Sequence, residues 1–510
     1  MIEFTSPTLS DYEKFAPFFF DEGELSCEMN FISIYVWKRV YENKFYLDDK
    51  TLIFRSVADD GEGYVFSLPY GDLDYGMSLI FEYCRHHAIA PNFWTSEGKR
   101  LEYFTKKYPN FELVPQRDNF DYIYSREDLA TLSGKKYHSK RNHISSFTKK
   151  HNWTYEELTQ DNREEFLAFS DKWYSDRGIE SDEGLKAEKK ALREILDSEI
   201  EIPFKGALIR VDGRVVAITL GSPINEHTFD IHYEKADIDF PTAYAVINRE
   251  FAKNSLSEYK YINREDDLGL EGLRKAKLSY KPQIILLKYS LIYHSKEKLI
   301  ADTKMLYKEA FPLDGEYADI FTDRFFDDCR YTIKDGKIVS MLYLLKAKLH
   351  TKTDVLDAFY LYAAATLREY RGQGIMSELV EKVKEETACS IITKPAQSSL
   401  FAFYESLGFK SIVMQLEATA SKEISSAHKL TIDEYKSARQ TLLENIPHIE
   451  LCDINFALEG LELYKTEEGI LALDVNCVKE FIPLSPKLSD VPFGMAYRTN
   501  DKIYLGLALD

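Results

Sequence analysis

Residues 370–380 read YRGQGIMSELV, and residues 400–409 read LFAFYESLGF. The first stretch follows an apolar run at 355–366, and its apolar residues recur at helical spacing after two glycines. This order predicts a strand, a glycine-rich loop and a helix. Glycines at such a junction let the backbone approach a ligand, and the N–H groups of the helix start suit a phosphate. The stretch therefore predicts a pyrophosphate site, the alternative being a tight turn alone.

The same order of elements is predicted twice in the chain. ALIRVDGRVVAITLGS (207–222) and RYTIKDGKIVSMLYLL (330–345) each read as two strands joined by Asp-Gly. Asp-Gly favours a type I′ turn, because that turn needs positive φ at both central residues. A strand, a helix, a short strand, a second helix and another strand follow each hairpin. The repeat predicts an α/β protein (α+β, mixed sheets) built from tandem copies of one fold.

The length of 510 residues also indicates several domains. We expect boundaries that give domains at 1–292 and 293–425, and a small C-terminal α+β segment at 426–510 that completes the second half. This segment is predicted to contain a helix near 431–445. It is also predicted to end in a looser hairpin, AYRTNDKIYLGLALD (496–510).

The motifs at 370–380 and 400–409 resemble the two diagnostic motifs of the GNAT acetyltransferase superfamily, in the same order and at a fitting separation. The resemblance covers about residues 295–420 and implies an acyl-CoA-dependent acyltransferase. The simplest version is an N-acetyltransferase that uses acetyl-CoA (or another acyl-CoA) and an amine acceptor, either a small molecule or a protein. Met376 stands where glycine or alanine is usual, and Gln397 where asparagine often precedes the second motif. The resemblance assigns the coenzyme A pyrophosphate to Arg371, Gly372, Gln373, Gly374, Ile375 and Met376.

The resemblance also implies catalytic roles. Tyr404 is the candidate acid that protonates the departing thiolate, the alternative being aromatic packing beneath the cofactor. Backbone N–H groups near Ala365 and Thr366 are expected to stabilise the developing negative charge. The residues do not identify the general base. Asp510, at the end of the apolar run LGLALD, is one candidate, although such a strand can simply complete a sheet edge.

The first copy differs, because its corresponding loop, KADIDFPTAYAVINREF (235–251), contains no glycine. It is therefore not predicted to bind coenzyme A in the usual way. YHSKRNHI (137–144) and NREDDLGLEGLRKAKLSYKP (263–282) resemble a family of unknown function related to the C-terminal domain of phosphatidylglycerol lysyltransferases. The resemblance spans about residues 1–292 and implies a tandem GNAT-like fold with possible transfer of an aminoacyl group from aminoacyl-tRNA. The membrane-spanning portion of the full lipid-modifying enzymes is not found here, so a lipid acceptor is not implied.

Three features of this half are candidate sites, each with a plainer alternative. The basic stretch 135–150 could bind phosphates of tRNA or of a phosphorylated acceptor, with Arg141 making bidentate contacts, or it is a solvated helix face. The charged run at 264–267 follows a predicted strand, where loops carry function in open sheets, or it caps and ion-pairs the next helix. Two residues of FDIHYEK (229–235) alternate on one strand face and could orient each other, or the histidine is simply packed in the core. The possible site residues are Arg141, His143, Asp230, His232, Arg264 and Asp266; no spacing typical of a metal site is present, so no metal is predicted.

Composition narrows the class of protein. The net charge of −19 disfavours a generic nucleic-acid or anionic-membrane surface and suits a cationic acceptor such as a polyamine or aminoglycoside. No window approaches 18 consecutive apolar residues, so no membrane span is predicted. The acidic N-terminus argues against a signal peptide, and six scattered cysteines predict free thiols in a cytoplasmic protein. The oligomeric state is not predicted.

The sequence leaves three functions open. The first is an N-acyltransferase whose first half binds or modifies a related substrate. The second is an aminoacyl-tRNA-dependent aminoacyltransferase that works through the first half. The third is a non-catalytic acyl-CoA-binding protein.

Overall fold

A computed structural model of the chain describes residues 2–20, 24–58, 61, 63–178, 182–312, 315–417, 427–475 and 477–507. The chain divides into two compact units, Met1–Tyr293 and His294–Asp510. No helix in the described part of the chain is long and apolar enough to cross a lipid bilayer. All six cysteines are free.

The first unit contains two mixed sheets covered by helices. Its helices are α1 (Tyr12–Phe20), α2 (Phe31–Trp37), α3 (Leu73–His87), α4 (Lys99–Lys107), α5 (Arg126–Thr131), α6 (His138–Lys150), α7 (Arg163–Asp176), α8 (Glu183–Asp197), α9 (Ala243–Asn254) and α10 (Glu271–Leu278). Its strands are β1 (Lys44–Leu47), β2 (Thr51–Val57), β3 (Tyr64–Ser67), β4 (Tyr70–Gly71), β5 (Asn92–Ser96), β6 (Phe111–Pro115), β7 (Asp121–Ser125), β8 (Trp153–Glu157), β9 (Lys205–Val211), β10 (Arg214–Pro223), β11 (Thr228–Ala236), β12 (Tyr261–Asn263), β13 (Ile284–Leu286) and β14 (Lys288–Tyr293). The strand orders are β1-β2-β3-β5-β14-β6, with β4 beside β2, and β13-β7-β12-β11-β10-β9-β8.

The predicted hairpin of the first unit is confirmed. β9 and β10 pair around Asp212 (φ 47°) and Gly213 (φ 82°), the two positive φ angles that a type I′ turn requires. β11 then runs parallel to β12, but only Thr228–Asp230 pairs with Tyr261–Asn263. β11 continues to Ala236, so the two strands separate after Asp230.

The second unit repeats this order and adds a C-terminal part. Its helices are α11 (Lys296–Ala310), α12 (Gly315–Phe325), α13 (Ile375–Glu386), α14 (Ser399–Ser406), α15 (Ile432–Leu443) and α16 (Ile454–Leu458). Its strands are β15 (Cys329–Lys334), β16 (Lys337–His350), β17 (Val355–Thr366), β18 (Ser390–Thr393), β19 (Lys410–Leu416), β20 (His428–Lys429), β21 (His448–Leu451), β22 (Glu462–Lys465), β23 (Gly469–Asp474), β24 (Cys477–Pro483), β25 (Leu488–Tyr497) and β26 (Ile503–Tyr504). The Asp335–Gly336 turn joining β15 to β16 again has two positive φ angles, 52° and 74°, as predicted.

The main sheet of the second unit draws strands from both ends of the unit. Its order is β15-β16-β17-β18-β25-β19-β26-β21, and β21 also pairs with β16, so the sheet closes on itself. A smaller sheet has the order β20-β22-β23-β24. Within the described residues the expected hairpin at 496–510 is wrong, because β25 and β26 both pair with β19 and lie on its two sides. The loop between β25 and β26 contains Asp501 but no Asp-Gly or Asn-Gly pair. It therefore lacks the residue pairs that favour a type I′ turn.

The predicted fold class is confirmed. The series β9-β10-β11-α9-β12-α10-β13 in the first unit corresponds to β15-β16-β17-α13-β18-α14-β19 in the second. In both, a long strand pairs in parallel with a short strand and then continues beyond it, paired only with the preceding hairpin strand on its other side. The point where the strands separate is therefore equivalent in the two units, and both candidate sites lie there.

Candidate functional sites where the strands separate

In the second unit, strand pairing leaves an open edge beside the glycine loop. β17 pairs with β18 only as far as Leu361 and Thr393, whereas β17 continues to Thr366. Its register with β16 shifts between Met341 and Tyr343, and the facing Ala363 has a φ of 48°, which marks a bulge. Among the described strands none lies on the β18 side of β17 beyond Leu361. An extended ligand could pair with this edge.

The loop that follows is shaped to receive an anion. Gly372 and Gly374 have φ angles of 75° and 81°, and a Cβ atom added to either would meet nothing within 4 Å. The first hydrogen bond of α13 runs from the Glu378 N–H to the Gly374 carbonyl at 3.0 Å. The N–H groups of the three residues between them therefore have no partner within the helix. These donors and the positive end of the helix dipole suit an anion beside the two glycines.

The other predicted loop residues support this geometry. The Arg371 Nε donates to the Thr366 carbonyl at 2.9 Å, and the Gln373 side-chain amide donates to the Glu369 carbonyl at 3.1 Å. Residues 371–374 are exposed, while Ile375 is buried in the core and Met376 packs against a neighbouring apolar cluster. The side chains thus hold the loop in place, and the backbone is left to contact a ligand.

Tyr404 lies on α14 at the point where β17 and β18 separate. Its side chain hydrogen-bonds Thr393, whose hydroxyl donates to the Leu361 carbonyl at 3.0 Å. Burial raises the pKa of Tyr404, so its hydroxyl keeps its proton at neutral pH. The ring also packs against Phe403 and Phe409. The packing role and the proton-donor role are therefore compatible in one residue.

A cluster of tyrosines next to the bulge was not predicted. The hydroxyls of Tyr307 on α11 and Tyr362 on β17 are 3.0 Å apart, and Tyr362 also interacts with Tyr317. Burial raises the pKa of Tyr362. The sequence signal was weak, because tyrosines at alternate positions of β17 look the same whether they face a core or a ligand.

In the first unit, the equivalent point is surrounded by charge. Asp230 of β11 pairs in register with Asn263 of β12, and a buried Lys288 lies nearby. The Lys288 Nζ lies 2.7 Å from both Asp121 and Glu28, and 3.3 Å from the Cys27 sulfur. Burial opposes its charge, but Asp121, Cys27 and Glu28 raise the pKa of Lys288 well above its usual value. Lys288 is therefore a charged ammonium held by this group of acceptors.

Asp230 itself has no such partner. It is fully buried, and neither carboxylate oxygen has a hydrogen-bond partner within the described residues. Its Oδ2 lies 3.6 Å from the His232 Nδ1, which lies 3.1 Å from the Glu265 Oε1. Burial, together with the charges of Glu265 and Asp121, raises the pKa of Asp230 well above its usual value. Burial likewise raises the pKa of Asp266 to about 7, although Lys288 opposes the shift.

Sequence comparisons assign these two regions. Residues 23–292 match the family described as "Phosphatidylglycerol lysyltransferase, C-terminal". The chain belongs to this family. Residues 292–412 match a second family, described as the acetyltransferase (GNAT) domain. This phosphatidylglycerol lysyltransferase C-terminal family member is therefore built from acyltransferase-like domains, and both predicted resemblances are confirmed.

Two solved structures and one curated protein are similar to parts of this family member. A conserved protein of unknown function from Bacteroides thetaiotaomicron is 36% identical, with a TM-score of 0.54, and the match covers 58% of this chain and 100% of that one. The C-terminal domain of a putative lysylphosphatidylglycerol synthetase from Agrobacterium fabrum is 14% identical, with a TM-score of 0.42, and covers 56% of this chain and 93% of that one. An uncharacterized protein of Mycoplasmoides gallisepticum is 24% identical over 194 residues, or 38% of this chain. The chain covers 61% of the length of that curated relative.

The structure separates the predicted residues of the family domain into groups. Asp230, His232 and Asp266 lie in the charged cluster, whereas Arg264 is half-buried and pairs with Glu234 at 2.7 Å. His143 is exposed on α6. These positions stay predictions as functional sites, and Asp510 lies outside the described residues.

The basic stretch 135–150 forms most of α6 and the turn before it. Arg141 donates to the Leu132 carbonyl and, at 2.7 Å, to the Gly134 carbonyl, so part of its guanidinium holds the preceding turn. The Lys140 ammonium lies 3.8 Å from the centre of the Tyr280 ring, and burial lowers the pKa of Lys140 to about 8. Lys135, Lys149 and Lys150 remain exposed. The free positive charge of this stretch is therefore at its two ends.

Sequence reasoning missed Cys27, Glu28, Asp121 and Lys288. One signal was available, because Lys288 interrupts the apolar run IILLKYSLIY (284–293). A lone charge in a buried strand indicates a paired internal ion. Its partners could not be found, because they lie far away in the sequence.

Three groups of side chains could hold a metal ion in the described part of the chain. They are Cys27–Glu28–Asp121, Asp230–His232–Glu265 and His350–His448–Glu450, each with ligand atoms within 4.8 Å of one another. In each group two residues come from one element and the third from a distant one, so sequence spacing marks only part of the group. In the first group Lys288 already supplies the positive charge, and burial with Asp121 raises the pKa of Cys27, which keeps the thiol protonated.

Proposed function

We propose that the second unit is an acyl-CoA-dependent N-acyltransferase that takes acetyl-CoA as its simplest donor and an amine as acceptor. The observation that carries this proposal is the joint placement of an open strand edge, a glycine loop at a helix start and the Tyr404 side chain where β17 and β18 separate. The match of residues 292–412 to the GNAT domain supports it. We also propose a cytoplasmic location, because the six cysteines are unpaired.

The residues present fit the cofactor. The open space in front of Gly372 and Gly374 and the unpaired N–H groups at the start of α13 suit a pyrophosphate. The β17 edge beyond Leu361 suits an amide-containing arm that pairs as a short strand. Acetyl-CoA would supply an activated thioester carbonyl at the end of that arm.

The chain's own groups would then act around the reacting carbonyl. Backbone N–H groups of β17 near Ala365 and Thr366 can donate hydrogen bonds to an oxygen as negative charge develops on it. Tyr404 holds its proton at the point where β17 and β18 separate and can donate it to a leaving thiolate. The acceptor amine must also lose a proton, and the base that takes it is not assigned. The hydroxyls of Tyr307 and Tyr362 give the region beside the bulge a polar surface. The net charge of −19 favours a cationic acceptor.

The test is calorimetric titration of acetyl-CoA into the intact chain. We expect one equivalent to bind the wild type. Gly374→Val should abolish binding, because its side chain would occupy the space in front of the loop and strain a residue with a φ of 81°.

Gly336→Val is the matched control. Gly336 has a φ of 74° and open space around its Cβ, but it lies in the β15–β16 turn. The control should be destabilised to a similar degree and still bind acetyl-CoA. Absence of binding by the wild type, or equal loss in both variants, would refute the proposal. Binding without transfer to any amine tried would favour a non-catalytic acyl-CoA-binding protein.

A second candidate function is aminoacyl transfer by the first unit. The family's description names a lysyltransferase, and the charged cluster at the Asp230–Asn263 pair occupies the position that the acyl group would take in the second unit. We propose that aminoacyl-tRNA, held by the ends of the stretch 135–150, would be the donor.

This candidate predicts salt-sensitive tRNA binding. Changing the exposed Lys135, Lys149 and Lys150 to alanine should weaken binding and reduce its salt dependence. Changing Lys99, Lys106 and Lys253, which are equally exposed, controls for net charge. Equal effects of the two triple variants would count against a specific tRNA surface.

A further inference from the structure

We propose that Asp230, His232 and Glu265 form a binding site for one divalent transition-metal ion, such as Mn²⁺ or Zn²⁺, in the first unit. The inference does not depend on the proposed acyltransferase activity, which belongs to the second unit. It departs from the sequence-based expectation of no metal. It rests on three observations: an unpartnered buried carboxylate, the tautomer of His232, and the spacing of the three ligand atoms.

Asp230 has no direct partner in the described structure. The residue is 0% exposed, both of its oxygens lack a hydrogen-bond partner, and the charge of Lys288 acts on it only without direct contact. A buried carboxyl group in this position is unfavourable as a free charge, so it stays protonated unless it is paired or coordinates a metal. Asp230 is directed at His232, 3.6 Å away, and Glu265 completes the group.

The hydrogen bonds of His232 fix which ring nitrogen carries a proton. The Asn30 Oδ1 accepts from the Ile32 N–H and from the Ser222 hydroxyl at 2.8 Å. Since Ser222 gives its only proton to Asn30, its oxygen accepts the hydrogen bond from the His232 Nε2 at 2.8 Å. Nε2 is therefore protonated, as in metal-binding histidines whose second nitrogen is held by a neighbouring acceptor.

The other nitrogen then faces two carboxylates. Nδ1 lies 3.1 Å from Glu265, 3.6 Å from Asp230 and 3.4 Å from the Ser33 hydroxyl, which can donate a hydrogen bond to it. The two carboxylates still repel a bare Nδ1 lone pair, unless a positive species lies among the three atoms. A proton shared between Nδ1 and Glu265 would leave both Asp230 oxygens without a partner. A metal ion would contact all three groups.

Distances distinguish a metal ion from an ammonium ligand. With bonds of about 2.1 Å, ligand atoms around a metal are about 3.0 Å apart in octahedral and about 3.4 Å apart in tetrahedral geometry. Acceptors around an ammonium, with hydrogen bonds of about 2.8 Å, are about 4.6 Å apart. The observed separations of 3.1 and 3.6 Å match a metal.

A neighbouring cluster shows the contrast. Glu28, Asp121 and Cys27 surround the Lys288 ammonium, so that group has its own internal cation. Asp230, His232 and Glu265 have the same kind of acceptors and no side-chain cation among the described residues within salt-bridge distance. One histidine nitrogen and two carboxylates suit Mn²⁺ or Zn²⁺, and three protein ligands leave a coordination position free for a substrate oxygen.

The experiment is titration of Mn²⁺ into the metal-stripped full chain. Binding is measured by calorimetry and by the decrease of the electron paramagnetic resonance signal of free Mn²⁺. We expect one equivalent to bind the wild type. Asp230→Asn and His232→Gln should each weaken binding by at least about 100-fold, because each removes a ligand. Ser222→Ala should weaken it about 10-fold, because the partner that orients the ring is lost.

His350→Gln is the control, because His350, His448 and Glu450 form a competing group in the second unit. It should leave Mn²⁺ binding unchanged. Circular dichroism and thermal unfolding check that each variant folds. No Mn²⁺ or Zn²⁺ binding by the wild type, unchanged binding in both ligand variants, or loss of binding in His350→Gln alone would each overturn the proposal.

Discussion

The ring of Tyr404 packs in the core, and its hydroxyl is the proposed proton donor, so removing the hydroxyl alone tests the chemical role. We predict that Tyr404→Phe lowers kcat by about 10²-fold or more, within the range of general acid catalysis, and leaves the Kd for acetyl-CoA unchanged. The reason is that phenylalanine keeps the ring contacts with Phe403 and Phe409 and removes only the proton donor. Release of free thiol in steady-state assays and calorimetry give the two numbers.

Tyr343→Phe is the matched control for this prediction. Tyr343 is also buried, and its hydroxyl bonds Thr322 at 3.2 Å in a different apolar cluster from that of Tyr404. Each variant should lose about 1 kcal/mol of stability. Equal kcat values for Tyr404→Phe and the wild type would leave Tyr404 with a packing role only.

Lys288 is the residue whose loss should damage the first unit most. Lys288→Met leaves Asp121 and Glu28 without their shared cation, so we expect the free energy of unfolding to fall by about 3–5 kcal/mol. Urea unfolding measures the change. Lys172→Met, which breaks an exposed pair with Asp176, should cost less than about 1 kcal/mol. Similar values for both variants would mean that the buried ammonium does not stabilise the fold.

At the scale of residues the sequence indicated one loop and part of one charged cluster, and their functional roles stay predictions. The residues 371–376 could be predicted because a phosphate loop is a local pattern of glycines at a helix start. Asp230 and His232 could be paired because alternate residues of a strand share a face. Lys288, Asp121 and Cys27 could not, because their contact depends on how distant strands pack.

At the scale of elements, β16 and β21 are joined by a pair of histidines. His350 and His448 are register partners, and their rings stack with centroids 4.4 Å apart. Burial, with contributions from Arg439 and His350, lowers the pKa of His448 from 6.5 to about 4. Between pH 6.5 and about 4, His448 is therefore protonated in the unfolded state and neutral in the folded state.

The sign of the pH dependence follows from that difference. The contribution of His448 to stability is complete above pH 6.5 and is lost as the pH falls towards 4. The loss amounts to about 2 kcal/mol at pH 5. We predict that His448→Gln loses less stability than the wild type between pH 7 and pH 5 in urea unfolding. The exposed His428→Gln is the control and should match the wild type. Parallel pH profiles for His448→Gln and the wild type would contradict the prediction.

Elements were predictable where local chemistry decides them. The Asp212–Gly213 and Asp335–Gly336 turns need positive φ at two residues, and few residue pairs offer that. The error at 496–510 has the opposite cause. The loop between β25 and β26 has no residue pair that favours a tight turn. The two strands instead pair with the two sides of β19. Pairing across a sheet depends on segments that are distant in the sequence, so local turn residues do not predict it.

At the scale of the whole molecule, the two units should respond to different ligands. Acetyl-CoA at about 100 times its Kd should stabilise the binding-competent state by about 2.7 kcal/mol. We predict that amide hydrogen exchange then slows within 294–507, most at 361–378, and stays unchanged within 2–293. Mass spectrometry of peptides from the intact chain gives the map. The Gly374→Val variant should show no slowing, and slowing in the first unit would contradict the assignment of the donor site.

The position of β25 has a consequence for the synthesis of the protein. β25 lies between β18 and β19, yet the ribosome makes residues 394–487 before it. At about 5–20 residues per second, β18 waits roughly 5–20 s for its neighbour. The first unit needs no strand beyond Tyr293 and can fold during that time. Until residue 497 leaves the ribosome, two strand edges of the second unit stay open to other nascent chains, so chaperone capture or stalled translation should affect this unit first.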